Sequence, residues 1–470
     1  MRPKRVLSPG PAKLYKTVIR LFNTLTRREE EFRPIVSGRV GVYSCGPTVY
    51  AFVHIGNLRA FVFADLLCRA LAFNGLAVKQ IMNITDVGHL VGDGDEGEDK
   101  MIVAMKREGK SAWDIAEFYT QAFLRDIATV NIAPAAEYPR ATEHIAEQIA
   151  LVADLEKNGF TYQTSDGIYF DTSKLSDYGK LSGQKAEEKM AGARVDLGEK
   201  KSATDFALWK FSSEKRDMIW LSPWGDGFPG WHLECSAMSK KYLGVPFDIH
   251  TGGVDHIAVH HENEIAQTQG ADGVLEANVW LHNEFLTVDG GRMGKSLGNM
   301  YMIADITDKG FDPLALRYLF LGAHYRSKLN FTWEALEGAQ NALRKLQAIA
   351  RQLEAPTEVA EPHQQNFLEA INNDLNTPQA LAVLWTMLDD TTVPSAAKAA
   401  SLLAFDKVLG LKLEDYVGKQ REIPGEVQDL AKQREEARAV KDWQKSDQLR
   451  DLIISKGYLV EDTAEGQKIR

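Results

Sequence analysis

The stretch from Arg39 to Thr85 constrains this chain more than any other. Arg39-Val40-Gly41-Val42-Tyr43-Ser44-Cys45 alternates like a buried strand, and Gly46-Pro47-Thr48 turns it. From Leu58, the apolar residues Leu58, Phe61, Val62, Leu66 and Ala70 recur at helical spacing until Asn74-Gly75, after which Ala77 to Thr85 reads as a second strand. Strand, turn, helix and strand form a βαβ unit, which requires a parallel sheet and directs ligands to the strand C-termini. Phe247-Asp248-Ile249-His250 and Asn278-Val279-Trp280-Leu281 supply short strands for a second half. The expected fold is α/β, with a Rossmann-like catalytic domain that carries an insertion.

At 470 residues the chain has room for about three domains. Pro3, Pro9, Gly10 and Pro11 break any period at the start, so residues 1–20 read as an extension. Residues 21–158 and 225–300 form the two halves of the α/β domain, and the Gly-, Ser- and Lys-rich residues 159–224 form the insertion. Helical periodicity dominates 301–355 and 356–424. Pro424 and Gly425 then open a small domain, 425–470, with a charged helix, a second helix ending at Lys456-Gly457 and a short hairpin.

Fifty-five basic against 65 acidic residues leave a net charge of −10, which excludes a basic coat for bulk nucleic acid but not a local basic groove. Three dispersed cysteines, Cys45, Cys68 and Cys235, form no disulfide framework and fit a reducing cytoplasm. Neither a secretory h-region nor an eighteen-residue apolar run is evident.

Three segments could carry chemistry. His54-Ile55-Gly56-Asn57 lies between the first strand and its helix, where free N–H groups and the positive helix end favour phosphate; it reads equally as a capping turn. Gly291-Arg292-Met293-Gly294-Lys295-Ser296-Leu297-Gly298-Asn299 suits a loop closing over polyphosphate, or an ordinary basic turn. Cys45, Cys235, His260 and Glu264 offer S, S, N and O, with the last two sharing a helix face; each cysteine alone also reads as a small buried hydrophobe, as Cys68 does. His261-Glu262 begins an H-E-x-x-H pattern, but Ile265 breaks it.

Together these residues resemble the cysteinyl-tRNA synthetases over nearly the whole chain. The resemblance rests on Phe22 to Arg27, Tyr43 to Tyr50, Asn83 to Val87, Asp205 to Lys210, Gly230 to Met238 and His260 to Gln267. His54 to Asn57 resembles the family's H-I-G-H motif in its H-I-G-N form. Arg292-Met293-Gly294-Lys295-Ser296 resembles K-M-S-K-S with Arg and Gly replacing the first Lys and Ser, which implies altered loop dynamics rather than lost chemistry; Val259 stands where many members have Pro.

The resemblance implies one Zn²⁺ per chain on Cys45, Cys235, His260 and Glu264, and Mg²⁺ with the ATP. It makes His54, Asn57 and Lys295 catalytic, and Gly56, Gly252, Gly253, Asp255, Lys295 and Ser296 ATP contacts. Thr85, Trp231 and Asp255 would shape the cysteine pocket. The implied partners are L-cysteine, ATP and tRNA(Cys), with no membrane and a monomeric chain. Asp374 or Asn376 should cap a helix of the anticodon-side bundle; Lys432, Arg434, Arg438, Lys441 and Lys445 with Trp443 read as an RNA-contacting stripe or, with Glu435, Glu436 and Asp442 interleaved, as a solvated helix. The cysteine ligase of mycothiol synthesis and a non-enzymatic zinc-stabilised RNA-binding paralogue remain as alternatives.

Overall fold

The structure is a computed structural model that describes residues 18–88, 100–183, 199–212, 217–294, 297–419, 423–458, 460–463 and 466–469. Its centre is a four-stranded sheet. In chain order the elements are β1 (Arg39–Ser44), α1 (Ile55–Phe73), β2 (Ala77–Met82), α2 (Trp231–Leu243), β3 (Phe247–Gly253), α3 (His260–Asp272) and β4 (Ala277–Asn283). All four strands are parallel, in the order β4-β3-β1-β2. The chain therefore winds outward in opposite directions from the β1–β3 pair, which makes that pair the topological switch point. Parallel strands covered on both faces need near-continuous apolar runs. Val40, Val42, Tyr43, Ile81, Met82 and Ile249 meet that need, and all are buried.

Helices Lys100–Glu108 and Ala112–Thr129 precede the insertion. Gly109, at φ +67°, separates them in a conformation that favours glycine. The insertion is a four-stranded antiparallel sheet of Thr161–Gln163, Gly167–Phe170, Phe206–Phe211 and Gly227–Pro229. Its last strand lies beyond residue 224, with Pro229 at a sheet edge.

A buried ion pair ties the helical region, from Pro313–Leu321 through Trp333–Gln352, Glu361–Asn372, Thr377–Asp389 and Ser395–Leu409, to the α/β core. Arg317 donates to Asp65 Oδ2 of α1 at 2.6 Å and to the carbonyls of Leu409, Val130 and Asn131 at 2.6, 3.0 and 3.1 Å. Asp65 also accepts from Arg69 and from the Ala133 N–H. Burial alone would push the Asp65 carboxyl up, but Arg69, Arg317 and the Ala133 N–H outweigh it and hold the carboxyl below the usual range. Asn376 caps its helix by accepting from the Gln379 N–H. Asp374 does not cap; it accepts from the Phe22 N–H, Tyr325 and Arg326 instead.

The C-terminal unit contains α4 (Gly425–Ala439), α5 (Trp443–Ser455) and the antiparallel hairpin Val460–Thr463/Gly466–Ile469. Of the basic residues expected along one helix, Lys432, Arg434 and Arg438 lie on α4, Lys445 on α5 and Lys441 in the turn between them. Arg434 is only 1% exposed and pairs with Asp462 at 2.9 Å, so it braces the hairpin rather than facing solvent. Among the described residues, no helix is long and apolar enough to cross a membrane.

Arg317→Ala should cost about 3 to 5 kcal/mol, because it leaves buried Asp65 short of a partner and three carbonyls short of a donor. Urea unfolding at neutral pH should show this. The charge part of the loss is present above the unfolded carboxyl pKa of about 3.9 and fades as pH falls through the depressed folded value, so the wild-type advantage should narrow in acid.

Candidate active site

At the C-terminal ends of β1 and β3 the sheet opens into a cleft of about 1000 Å³. Cys45, Gly46, His54, Gly56, Asn57, Thr85, Trp231, Cys235, Gly252, Gly253, Asp255 and His260 all line it. The parallel ladder creates the floor, since the Cys45 N–H donates to the Thr251 carbonyl one residue beyond β1. Gly46 is required by close approach: a Cβ there would lie 1.6 Å from the Asn83 carbonyl oxygen.

His54 is the N-cap of α1 and forms a reciprocal pair with Asn57. The Asn57 N–H donates to His54 Nδ1 at 3.2 Å, and the His54 N–H donates to Asn57 Oδ1 at 3.1 Å. A cap of this kind contributes about 1 kcal/mol. It also fixes chemistry. Burial lowers the His54 pKa against the opposing charge of Asp255, and because Nδ1 accepts, the neutral ring carries its proton on Nε2. Asn57 spends its oxygen on the cap and keeps its amide protons for a ligand.

The segment around the second motif approaches the same helix end. The Ile55 N–H donates to the Tyr301 carbonyl, and Met293 Cε would lie 2.4 Å from a Cβ on Gly56. Asn299 ties the loop by accepting from the Gly294 N–H at 2.9 Å and donating to the Arg292 carbonyl at 3.0 Å. Lys295 and Ser296 lie outside the described residues.

The deep end of the cleft holds Cys45, Cys235, His260 and Glu264, whose ligand atoms all lie within 4.8 Å of one another. Two ligands on one tetrahedral ion, each about 2.0 to 2.3 Å from it, would stand within that separation. Cys45 follows β1, Cys235 comes from α2, and His260 and Glu264 are one turn apart on α3. Glu264 Oε1 approaches His260 Nε2 to 2.7 Å yet has no hydrogen-bond partner, as expected of two atoms aimed at a common third. His250 donates to Glu264 Oε2 at 2.7 Å and so orients the carboxylate.

A further set, Cys45, His250, His261 and Glu264, satisfies the same distance condition. Its histidines are already engaged. His250 holds Glu264, while His261 contacts Cys45 Sγ at 3.3 Å and His282 at 2.8 Å, and His282 continues to Thr24 at 2.8 Å. Burial and the neighbouring His250 push His261 down to about 4, which keeps it neutral. Burial opposes charge on Cys45 as well, but Cys235, His261 and His256 hold it well below the usual thiol range. Trp231 stacks on His260 with ring centroids 4.3 Å apart.

Sequence reasoning did not single out His232, His250, His256 or His282 as site residues, and raised His261 only within the H-E-x-x-H pattern that Ile265 breaks. His250 and His282 occupy strands read only for their apolar neighbours, and the ladder brings them together. The H-E pair at His261-Glu262 has no shared role, because Glu262 accepts from the Gly179, Leu181 and Ser182 N–H groups.

A crevice at a parallel-sheet switch point, with a capped histidine at the first helix and a glycine-rich loop against it, is the arrangement of a class I tRNA synthetase. The catalytic-domain profile described as tRNA synthetases class I (C) matches residues 31–341, and that of the cysteinyl-tRNA ligase anticodon binding domain matches residues 420–470. The chain is 51% identical to cysteine–tRNA ligase 1 of Burkholderia lata, covering 96% of each chain. With cysteine–tRNA ligase of Thermus thermophilus it shares 41% identity over 96% of this chain and 98% of that one. The chain belongs to the cysteinyl-tRNA synthetase family. The fold is also similar to that of Mycobacterium tuberculosis methionyl-tRNA synthetase in complex with methionyl-adenylate, at TM-score 0.54 and 14% identity over 79% of this chain and 90% of that one.

Gly46→Ala and Gly56→Ala should behave differently. The first meets backbone and should abolish ATP–pyrophosphate exchange or prevent folding. The second meets the flexible end of Met293 and, at 3.0 Å, the His54 ring, so it should fold normally but slow exchange through both the KM for ATP and kcat.

Proposed function

We propose that this cleft activates L-cysteine with ATP and then transfers the cysteinyl group to the 2′-hydroxyl of the terminal adenosine of tRNA(Cys). The observation that carries the reading is the S, S, N, O cluster opening into a nucleotide-sized cleft beside the capped His54. In the first step a cysteine carboxylate oxygen attacks the α-phosphorus and pyrophosphate leaves. His54 Nε2–H and the Asn57 amide donate to phosphate oxygens, and Gly56 leaves room for the nucleotide beside the backbone. The motif assigns Lys295 and Ser296 to the polyphosphate, with Mg²⁺ as the ATP counter-ion. Gly252, Gly253 and Asp255 take the adenosine. Thr85, Trp231 and Asp255 bound the amino-acid pocket.

Cys45, Cys235, His260 and Glu264 fit zinc by donor type and spacing and by the orphaned Glu264 oxygen. Zn²⁺ held there would accept the substrate sulfur, lower the pKa of its thiol and prefer it to the hydroxyl of serine. A pocket that measured shape alone would reject the hydroxyl isostere by only about 10². A neutral hydroxyl is a poor substitute for a thiolate ligand at either cysteine. Cys235→Ser should therefore lower zinc content and cysteine-dependent exchange together, read by elemental analysis and isotope exchange. Full exchange by a zinc-free variant would refute the assignment.

On this reading residues 21–158 and 225–300 are the catalytic halves, 159–224 the insertion, 301–355 the stem-contact region, 356–424 the anticodon-side bundle and 425–470 the anticodon-binding domain. The chain acts as a monomer in the cytoplasm. Removing residues 425–470 should spare exchange, raise the KM for tRNA and flatten its salt dependence. An unchanged KM in a folded truncate would overturn the domain assignment.

A further inference from the structure

The rim of the cleft carries exposed aromatic rings that the adenylation chemistry does not use. Phe52 lines the cleft and is 44% exposed; Phe118, on the helix Ala112–Thr129, is 42% exposed. Their ring centroids are 6.0 Å apart with the planes at 71°, so each ring offers its own face, and both meet Tyr119 in edge contacts at 5.1 Å. Tyr119 is buried and anchored, donating to Glu108 at 2.6 Å while Arg107 donates to its hydroxyl at 3.2 Å. The platform is thus rigid beneath and open above.

Two cations border it. Glu108 contacts both Arg107, at 2.5 Å, and Lys110, at 3.5 Å. The Lys110 ammonium also lies 4.7 Å from the centre of the Phe118 ring. Two cations around one carboxylate, beside two exposed rings, combine the features that bind single-stranded nucleic acid without reading sequence.

We infer that Phe52 and Phe118 form a stacking platform for the unpaired 3′ nucleotides of the tRNA, with Lys110 and Arg107 meeting their phosphates. The inference rests on the reading above that tRNA is the acceptor. Continuity selects this occupant: the terminal ribose must enter the cleft to reach the adenylate, and Phe52 belongs to both cleft and platform. A base stacked on Phe118 displaces Lys110 from the ring, and the freed ammonium can turn to the adjoining phosphate. Base stacking exceeds an exposed cation–π contact by roughly fivefold in affinity, so the exchange favours RNA.

The test compares binding of tRNA(Cys) with binding of the same tRNA trimmed of its unpaired 3′ nucleotides, using the full-length enzyme. Phe118→Ala should weaken binding of the intact tRNA by about tenfold. It should leave the trimmed tRNA and cysteine-dependent exchange unchanged, and Phe118→Trp should restore the difference. Equal weakening on both RNAs would overturn the platform, as would no effect on the intact one. Should Phe118→Ala fail to fold, Phe118→Trp and Lys110→Gln decide: the former must keep the difference between the two RNAs and the latter must reduce its salt dependence, and failure of either overturns the inference. Absence of cysteine-dependent exchange in the wild type would instead defeat the parent reading, while the comparison of the two RNAs would still judge the platform.

Discussion

The parallel register between β1 and β3, which sets Val42 beside Ile249 and Ser44 beside Thr251, joins segments about two hundred residues apart in the chain. Everything in the cleft depends on that pairing. It carries Cys45 to the wall formed by β3, from which α3 springs with His260 and Glu264. It also leaves a crevice, because α1 and α3 diverge from the two strands on opposite sides of the switch point. A one-residue slip in a strand would turn Tyr43 and His250 to the opposite face and dissolve the cluster.

Around the cleft, burial and charge are balanced within very short distances. Glu264 is fully buried between His250 and His260, which hold its carboxyl far below the usual range although burial opposes this. Nearby Glu276 responds in the other direction: burial and then the charge of Glu264 push its carboxyl up to about 8. Ser239 donates to Glu276 at 2.6 Å. The concentration of polar groups costs stability unless each is paired. A site that bound only an apolar side chain would have no use for it.

The sequence discloses the α/β centre because its strands and α1 follow their natural periods, and because Gly46 and Gly75 punctuate them. It discloses the two ends of the cleft through His54 to Asn57 and the spacing of His260 and Glu264 on one helix. The histidine network escapes such reading, since His250, His261 and His282 come from three elements and meet only through the ladder. Arg434 shows the opposite difficulty. A basic residue in a charged helix reads as solvated, yet the hairpin at Val460–Thr463 folds back to bury it against Asp462. The choice between Asp374 and Asn376 as cap was likewise invisible, because the partners that claim Asp374 lie some fifty and 350 residues away.

The central claim is that a metal on Cys45, Cys235, His260 and Glu264 selects the thiol. The most direct measurement is ATP–pyrophosphate exchange with cysteine and with serine on protein depleted of metal and then titrated with zinc. Cysteine-dependent exchange should rise in step with zinc to one equivalent per chain, and its preference over serine should climb well beyond the roughly 10² that shape alone provides. Metal-depleted protein that prefers cysteine over serine as strongly as the zinc-loaded form would contradict the account.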